Sequence, residues 1–415
     1  MGPITLFDKS FLQSLTLDES FWFDHFFLAH ICPLFYVETL ADLEKKPREG
    51  RAPEDEVRII ADKFPDNGAP SVHHSQLYRA NMFGHPIPID GRIVLAGGKN
   101  VREPGKEGVH FEPSPEADAF QRWQHQRFQD VERMYAKGWR EEIQSVNLEE
   151  TTRALKGWGL DGRKCKSLEE AARAARDFAF QLNGLGGLKL LFNLLGTPEK
   201  FREPLVDAWA GFGKVPLGEY APYAAYVVSV EVFFHLAIAA KLIGEDPKKH
   251  RADIAYMLYL PFCFMFTSSD DLHRRCAPLF LRDDQRFVWG PELKQDLGEL
   301  NAIYALLPEA ERDKGVYTFA PTPPKDRHSL ITDLWDRWMN ENWRRPEEER
   351  VPKDIQDGVD LDEMIDVVNQ SGEVIGTKRN PYVEPDFMTL KRHVRVKKGS
   401  WYQVPKSLEE GLENA

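Results

Sequence analysis

The sequence predicts an α/β fold in which a mostly parallel sheet is flanked by helices and carries a large, mainly helical insertion. The chain opens with a short apolar run of β-forming residues, Ile4 to Phe7, and a helical pattern follows. A later apolar run, Phe262 to Phe266, is again preceded by a helical segment. Strands that alternate with helices are typical of parallel sheets whose two faces are covered.

The first helix is predicted to begin near Thr16, whose hydroxyl can cap it, with Asp18 and Glu19 in its first turn. Its apolar face carries four aromatic residues at the three- and four-residue spacing of one helix side, namely Trp22, Phe23, Phe26 and Phe27. A helix in this position covers one face of the predicted sheet.

A second short strand is predicted within His30 to Val37, leading directly into a helix over Glu38 to Lys46. Pro33 interrupts this run and cannot donate a hydrogen bond to a neighbouring strand. The strand is therefore expected to be short or to lie at a sheet edge.

The middle of the chain has a different composition. Glycine, proline and charged residues dominate between residues 47 and 115, which predicts loops with one short hairpin. Helical patterns return afterwards, and one of them opens with Ser167 and Glu170 in the spacing of a capping box. These helices are predicted over residues 115–145, 167–182, 188–195, 201–212 and 221–243.

The pattern becomes strongly apolar again near residue 253. Asp253 is predicted to begin a short helix that Pro261 ends, and the strand that follows closes in a polar string from Thr267 to Asp271. Beyond residue 308 the chain is polar and proline-rich, with a helix predicted over Leu330 to Trp343. We therefore predict a discontinuous core of residues 1–46 and 221–307, an insertion of residues 47–220 and a C-terminal extension of residues 308–415.

Composition narrows the class of protein. The net charge of -12 argues against a protein that coats nucleic acid with its whole surface, but it leaves room for a local basic patch. The four cysteines are scattered without CxxC spacing, so neither a zinc ribbon nor a redox pair is predicted. No secretory signal or uninterrupted apolar run of about 18 residues is evident, so we expect a cytoplasmic protein with no membrane partner.

Two carboxylates follow predicted strands directly. Asp8 closes the first strand, and Asp270 closes the strand that begins at Phe262. Ligands of open parallel sheets bind beyond the carboxyl ends of the strands, where the strand order changes direction. Carboxylates brought together there repel each other, and a hard cation such as Mg²⁺ or Mn²⁺ removes that repulsion because it prefers oxygen ligands.

Three motifs resemble the PIN domains, a superfamily of metal-dependent ribonucleases. LFDKSFL is similar to their opening strand, followed by an aspartate and, two residues on, a serine or threonine. PLFYVETLADLE is similar to their second strand and the helix that brings a glutamate into the site. RADIAYMLYLPFCFMFTSSDDLH is similar to their closing unit, in which an aspartate, a strand, a threonine and a final aspartate follow each other.

The resemblance covers about a third of the chain and implies a site of four acids, Asp8, Glu38, Asp253 and Asp270, that hold Mg²⁺ or Mn²⁺ and carry catalysis. Two alternatives remain open in the sequence, since Asp42 competes with Glu38 and Asp271 with Asp270. The 215 residues between Glu38 and Asp253 imply the large insertion.

Candidate substrate contacts surround the acids. Ser10 and Thr267 match the small hydroxyl residues that accompany the first and last acids of the family. Arg274 and Arg275 are candidates for binding substrate phosphate, as is His273, although surface ion pairs explain the two arginines equally well. The basic cluster Lys391 to Lys398, followed by Trp401 and Tyr402, is a further candidate for holding an RNA backbone.

The resemblance implies a Mg²⁺- or Mn²⁺-dependent ribonuclease that hydrolyses RNA phosphodiester bonds and leaves a 5′-phosphate and a 3′-hydroxyl. The alternative is a catalytically inactive PIN-like scaffold whose insertion binds a protein partner. A third hypothesis is a purely helical protein, which would contain no parallel sheet. The sequence leaves the RNA, the partner and the oligomeric state open.

Overall fold

A computed structural model of the chain describes residues 2–45, 50–103, 106–144, 148–244, 247–345, 386–392 and 394–407. The strands in these ranges are β1 (Ile4–Phe7), β2 (Leu28–Ile31), β3 (Ala69–Pro70), β4 (Lys99–Glu103), β5 (Lys106–Phe111), β6 (Met265–Ser268), β7 (Arg286–Trp289), β8 (Phe387–Leu390), β9 (Lys397–Lys398) and β10 (Trp401–Tyr402).

The α-helices are α1 (Lys9–Ser14), α2 (Leu17–Phe26), α3 (Pro33–Leu40), α4 (Pro53–Lys63), α5 (His74–Met82), α6 (Pro115–Gln124), α7 (Asp130–Gln144), α8 (Leu148–Gly157), α9 (Leu168–Gln181), α10 (Gly184–Leu194), α11 (Glu199–Gly211), α12 (Leu217–Tyr220), α13 (Pro222–Ala239), α14 (Pro247–Tyr256), α15 (Asp271–Cys276), α16 (Gly290–Ala305), α17 (Glu309–Arg312), α18 (Val316–Phe319) and α19 (Leu330–Trp338). Short 3₁₀ segments occur at Ala41–Glu44, Gly162–Lys164, Met257–Phe262, Ala277–Leu279 and Glu341–Arg344.

Five strands form one all-parallel sheet in the order β3-β2-β1-β6-β7, which confirms the predicted α/β class with a helix-flanked parallel sheet. β1 and β6 are direct neighbours, with Thr5 opposite Met265 and Phe7 opposite Thr267. The strands that precede Asp8 and Asp270 are therefore adjacent and parallel, as predicted. The strand order reverses direction between β1 and β6, so this pair is the switch point of the sheet.

Two boundaries near the predicted acids differ from expectation. Pro33 does not interrupt a strand: it lies in the first turn of α3, where its missing N–H costs nothing because the first helical amides have no intrahelical partner. Asp253 does not begin its helix, since α14 starts at Pro247 and continues into a 3₁₀ turn that contains Pro261. The following strand is correspondingly shorter and begins at Met265.

The range 47–115 contains more structure than its composition predicts. α4, β3 and α5 lie there in addition to the expected hairpin, which β4 and β5 form. The buried side of α4 consists of Val57, Ile60 and Ala61, and the charged residues between them mask this spacing in the sequence. β3 pairs with β2, so the core sheet takes in a strand from within the range predicted as insertion.

The helices pack against one another around the sheet. α2 contacts α4 and α16, and α16 also contacts α19. α13 contacts α5, α9 and α14, and 14 of its 18 residues are buried. α13 is apolar and long enough to cross a membrane, but 78% of its apolar window is buried within the fold, which is the environment of a core helix.

The C-terminal segment is anchored to the core through charged side chains. Arg395 forms an ion pair with Asp66 at 2.8 Å, and its guanidinium also donates to the carbonyls of Asp62 and Phe64. Lys398 is 2% exposed and donates to the carbonyls of residues 20, 63 and 64. Both basic side chains thus form their ion pairs and hydrogen bonds with other residues of the fold.

Candidate active site

Asp8 and Asp270 lie at the carboxyl ends of the two switch-point strands, and each caps the helix that follows its strand. Asp8 accepts a hydrogen bond from the Phe11 amide at 3.0 Å at the start of α1. Asp270 accepts from the Leu272 amide at 2.7 Å at the start of α15. Because both are capping residues, their backbones are fixed by secondary structure on either side.

Asp8 is buried and heavily hydrogen-bonded. Its Oδ2 atom accepts from the hydroxyls of Ser10 at 2.6 Å and Ser268 at 2.9 Å, and it lies 3.3 Å from Nδ1 of His273. Burial raises the pKa of this carboxyl, but the hydrogen bond and charge of His273, together with the hydrogen bonds from Ser10 and Phe11, outweigh burial and hold the pKa below its usual value.

His273 is fully buried on α15, and its hydrogen bonds identify it as an imidazolium. Its Nε2 atom lies 2.7 Å from the backbone carbonyl of Asp253, which can only accept. Its Nδ1 atom lies 2.8 Å from the Ser268 hydroxyl, whose own proton points to Asp8. Both ring nitrogens therefore donate hydrogen bonds, as only the protonated imidazole can. Burial lowers the pKa of His273, but Asp8, together with the charge and backbone carbonyl of Asp253, outweighs burial and raises the pKa to about 9.

Lys9 supplies a second internal cation. Its ammonium group is 2.9 Å from the carboxylate of Asp42 and 3.5 Å from that of Glu38. Burial lowers the pKa of Lys9, but these two carboxylates outweigh it and raise the pKa above its usual value. Asp42 is buried and also pairs with Lys45 at 2.7 Å. The Glu38 side chain is 24% exposed and accepts a hydrogen bond from the Tyr256 hydroxyl at 2.6 Å. Glu38 is thus the more accessible of the two competing acids.

Asp253, on α14, joins the electrostatic neighbourhood of the other acids. Burial raises the pKa of Asp253, and the nearby carboxylates Glu38, Asp270 and Asp8 raise it further, to about 7, against the opposing charge of His273. Its side chain is 27% exposed. The four acids predicted from the sequence therefore lie near enough to influence one another.

Asp271 has a different environment from Asp270. The Asp271 side chain is 65% exposed and pairs with Arg274 at 3.2 Å, on the same surface turn. Asp270 caps α15 and contributes to the raised pKa of Asp253. Of this adjacent pair, Asp270 is the residue that faces the acid cluster.

The candidate substrate contacts have distinct positions. Ser10 bonds to Asp8, whereas Thr267 is fully buried in β6 with its hydroxyl 3.2 Å from that of Thr5, so it lies inside the sheet rather than at the surface. Arg274 is exposed and lies over the Trp289 ring at 4.9 Å. Arg275 is exposed and donates to the carbonyl of residue 242 at 2.8 Å.

The basic C-terminal cluster is mostly occupied by internal contacts. Arg395 and Lys398 anchor the segment, and Trp401 is 2% exposed. Lys391 and Lys397 are exposed, and Lys397 lies 5.0 Å from the Tyr402 ring centre. The surface that this segment offers to a phosphate backbone is therefore smaller than its sequence predicts.

The donor set fits a hydrated hard cation. Among the residues that the structure describes, no group of three or more His, Cys, Asp or Glu side chains is arranged to hold a metal ion directly. Mg²⁺, however, commonly keeps several waters and is bound through one or two protein carboxylates together with substrate phosphates. Burial raises the pKa of Asp253 and the carboxylates of Glu38, Asp270 and Asp8 raise it further against the charge of His273, so their negative charge acts on Asp253.

Four residues of this site were missed or underrated by sequence reasoning. Lys9, Ser268 and Tyr256 carry no signal, because a lysine, a serine or a tyrosine beside an apolar run is usually peripheral. The sequence predicts His273 only as a phosphate contact, yet its position with Leu272 and Cys276 on the buried side of α15 indicates an inward orientation.

Comparisons with protein-family models, with curated proteins and with solved structures find no match to this chain.

Proposed function

We propose that this chain is a divergent PIN-like ribonuclease that hydrolyses RNA phosphodiester bonds with Mg²⁺ or Mn²⁺ at the carboxylate site. The observation that supports the proposal is the environment of Asp253, whose pKa is raised by burial and raised further by the other three predicted acids near the switch point of the sheet. A perturbed carboxyl beside other carboxylates in this position is typical of functional sites.

Glu38, Asp253 and Asp270 would hold the hydrated cation, since their side chains are partly exposed. Asp8 lies behind them and would contribute an oxygen only if its contact with His273 loosened. When bound, such a metal activates water and neutralises negative charge on the phosphate.

The chain's own cations have separate roles in this proposal. Lys9 and His273 are buried, so they hold Glu38 and Asp8 in place rather than contact substrate. Arg274 is exposed one turn after Asp270, where it pairs with Asp271, and it is the candidate for binding a phosphate of the RNA backbone.

Two neighbouring aspartates provide the test. Asp270→Asn should abolish metal-dependent RNA cleavage, because it removes a charge that faces the cluster, whereas Asp271→Asn should cleave like the wild type because its side chain faces solvent. Both variants should be assayed on single-stranded and structured RNAs with Mg²⁺, with Mn²⁺ and with a chelator. Equal activity of both variants, or no cleavage of any RNA by the wild type, would exclude the ribonuclease proposal.

The second candidate is an inactive PIN-like scaffold that binds a protein partner through residues 47–220. It is favoured by the internal ion pairs of Asp8 with His273 and of Glu38 with Lys9, which occupy two of the four acids without a metal. It is also favoured by an exposed apolar stripe on α7, formed by Val131, Met134 and Tyr135 at 52–66% exposure. Replacing Val131 and Met134 with serine should release the partner if this second candidate is correct, and should leave RNA cleavage unchanged if the first one is.

A further inference from the structure

A cleft lies near the amino ends of β6 and β7, at the edge of the sheet opposite the carboxylates, between α9, α13 and the segment that leads into β7. Its volume is about 360 Å³, and small-molecule sites occupy roughly 300–1,000 Å³. Three aromatic side chains line it, Phe180 of α9, Tyr226 of α13 and Phe280. Such rings offer a large apolar surface to a flat ligand.

Two guanidinium groups lie beside this aromatic lining. Burial raises the pKa of Tyr226 well above its usual value, and the positive charges of Arg176 and Arg282 oppose that rise, so both lie near the Tyr226 ring. Arg282 is neutralised by Asp284 at 2.9 Å. Arg176 donates to the carbonyl of Leu279 at 2.9 Å, and within the described part of the chain no carboxylate forms an ion pair with it.

The inner end of the cleft is fixed by hydrogen bonds. Gln285 is 7% exposed, and its amide donates to the carbonyls of Leu260 and Cys263, each at 2.6 Å. The Tyr226 hydroxyl donates to the carbonyl of Met257, also at 2.6 Å. These polar groups are satisfied within the protein, and Arg282 pairs with Asp284. The lining also contains the exposed carboxylate of Asp283, so Arg176 is the cationic group of the lining that remains for an anionic ligand.

We propose that this cleft binds a small organic anion with a flat aromatic body, whose ring lies against Phe180 and Phe280 and whose anionic group pairs with Arg176. Aromatic stacking and a charge-assisted hydrogen bond reinforce each other in such a site, because burial of the ring brings the anion next to the guanidinium. The ligand is not a substrate of the carboxylate site, since the carboxylates lie at the other edge of the sheet.

Isothermal titration calorimetry with naphthalene-2-carboxylate and with uncharged 2-naphthalenemethanol tests the proposal. The carboxylate should bind wild-type protein at one site, and the alcohol should bind roughly tenfold more weakly or not at all, because it forms no charge-assisted bond. Arg176→Met should weaken carboxylate binding by about tenfold or more, since it keeps the side-chain length and removes the charge. Arg173→Met is the matched control, because Arg173 is exposed on the same helix and does not line the cleft.

A blocking variant tests the location without removing charge. Ile89 lines the cleft and is 39% exposed, so Ile89→Trp should fill the entrance and abolish binding. Circular dichroism should confirm that all variants are folded. Wild-type protein that does not bind the carboxylate at millimolar concentration, or equal affinity in the wild type and Arg176→Met, would overturn the proposal.

Discussion

Asp8→Asn should destabilise the protein at pH 6. Loss of a carboxylate from an acidic cluster relieves repulsion and by itself would have the opposite effect, but this contribution is the smaller one. The reason is that Asp8 is the counterion of the buried His273 imidazolium, 3.3 Å away. The pKa of His273, about 9 instead of its usual 6.5, corresponds to roughly 3 kcal/mol of stabilisation. Removing one partner of a buried pair costs about as much, roughly 3–5 kcal/mol.

The sign of the pH dependence follows from the direction of the shift. Because the pKa of His273 is higher in the folded state, the stabilisation is fully present below about pH 6.5 and is lost as pH rises through about 9. The pKa of Asp8 is lowered in the folded state, so Asp8 remains ionised at pH 6. The loss of unfolding free energy in Asp8→Asn, relative to wild type, should therefore be largest near pH 6 and should shrink to about 1 kcal/mol or less at pH 9.5.

Urea unfolding at pH 6.0 and pH 9.5, in the presence of a metal chelator, measures this difference. The variants are Asp8→Asn, His273→Asn and the double variant, whose coupling free energy should be about 2–3 kcal/mol at pH 6.0 if the two side chains form one ion pair. Asp271→Asn is the control, since its side chain is 65% exposed and its replacement should change stability by less than about 0.5 kcal/mol. An Asp8→Asn protein that is as stable as wild type at pH 6.0 would refute the ion pair.

Three further outcomes are expected. Asp253→Asn should raise the urea midpoint at pH 8 but not at pH 4. The pKa of Asp253 is raised from 3.8 to about 7 in the folded state, so this carboxyl destabilises the fold increasingly between about pH 4 and 7 and by a constant amount above pH 7. Mn²⁺ or Mg²⁺ should raise the melting temperature of wild-type protein measured by calorimetry, and Asp270→Asn should lose that gain. Replacing the exposed Lys391 and Lys397 with alanine should weaken RNA binding in a filter assay and reduce its salt dependence without changing stability. Lys398→Met should instead lower the melting temperature, because the Lys398 ammonium group donates hydrogen bonds to three backbone carbonyls.

The sheet and its acids were predictable because their signals are local. An apolar strand that ends in Asp8 and another that ends near Asp270 can be read from a few residues each, and the rule on switch points then places them together. The capping box at Thr16 is equally local, since Thr16 and Glu19 bond to each other's backbone amides as their spacing predicts. These features depend on neighbours within three or four positions.

The remaining parts depend on contacts between distant residues. β3 has two residues, and its pairing with β2 decides that it is a strand at all. Lys9 follows a strand in the sequence like any exposed lysine, and only the packing of α3 and the 3₁₀ turn after it brings Glu38 and Asp42 to its ammonium group. The ion pair between Arg395 and Asp66 likewise joins residues that are 329 positions apart in the sequence.

The two candidate functions differ in one physical quantity, which is the charge that Lys9 and His273 leave uncompensated. Burial raises the pKa of Asp253, and the carboxylates of Glu38, Asp270 and Asp8 raise it further, to about 7, against the opposing charge of His273. A divalent cation bound beside these carboxylates would lower that pKa again. The internal cations thus hold the buried part of the site, and the unbalanced charge lies at its exposed edge, where a hydrated metal and a phosphate can approach.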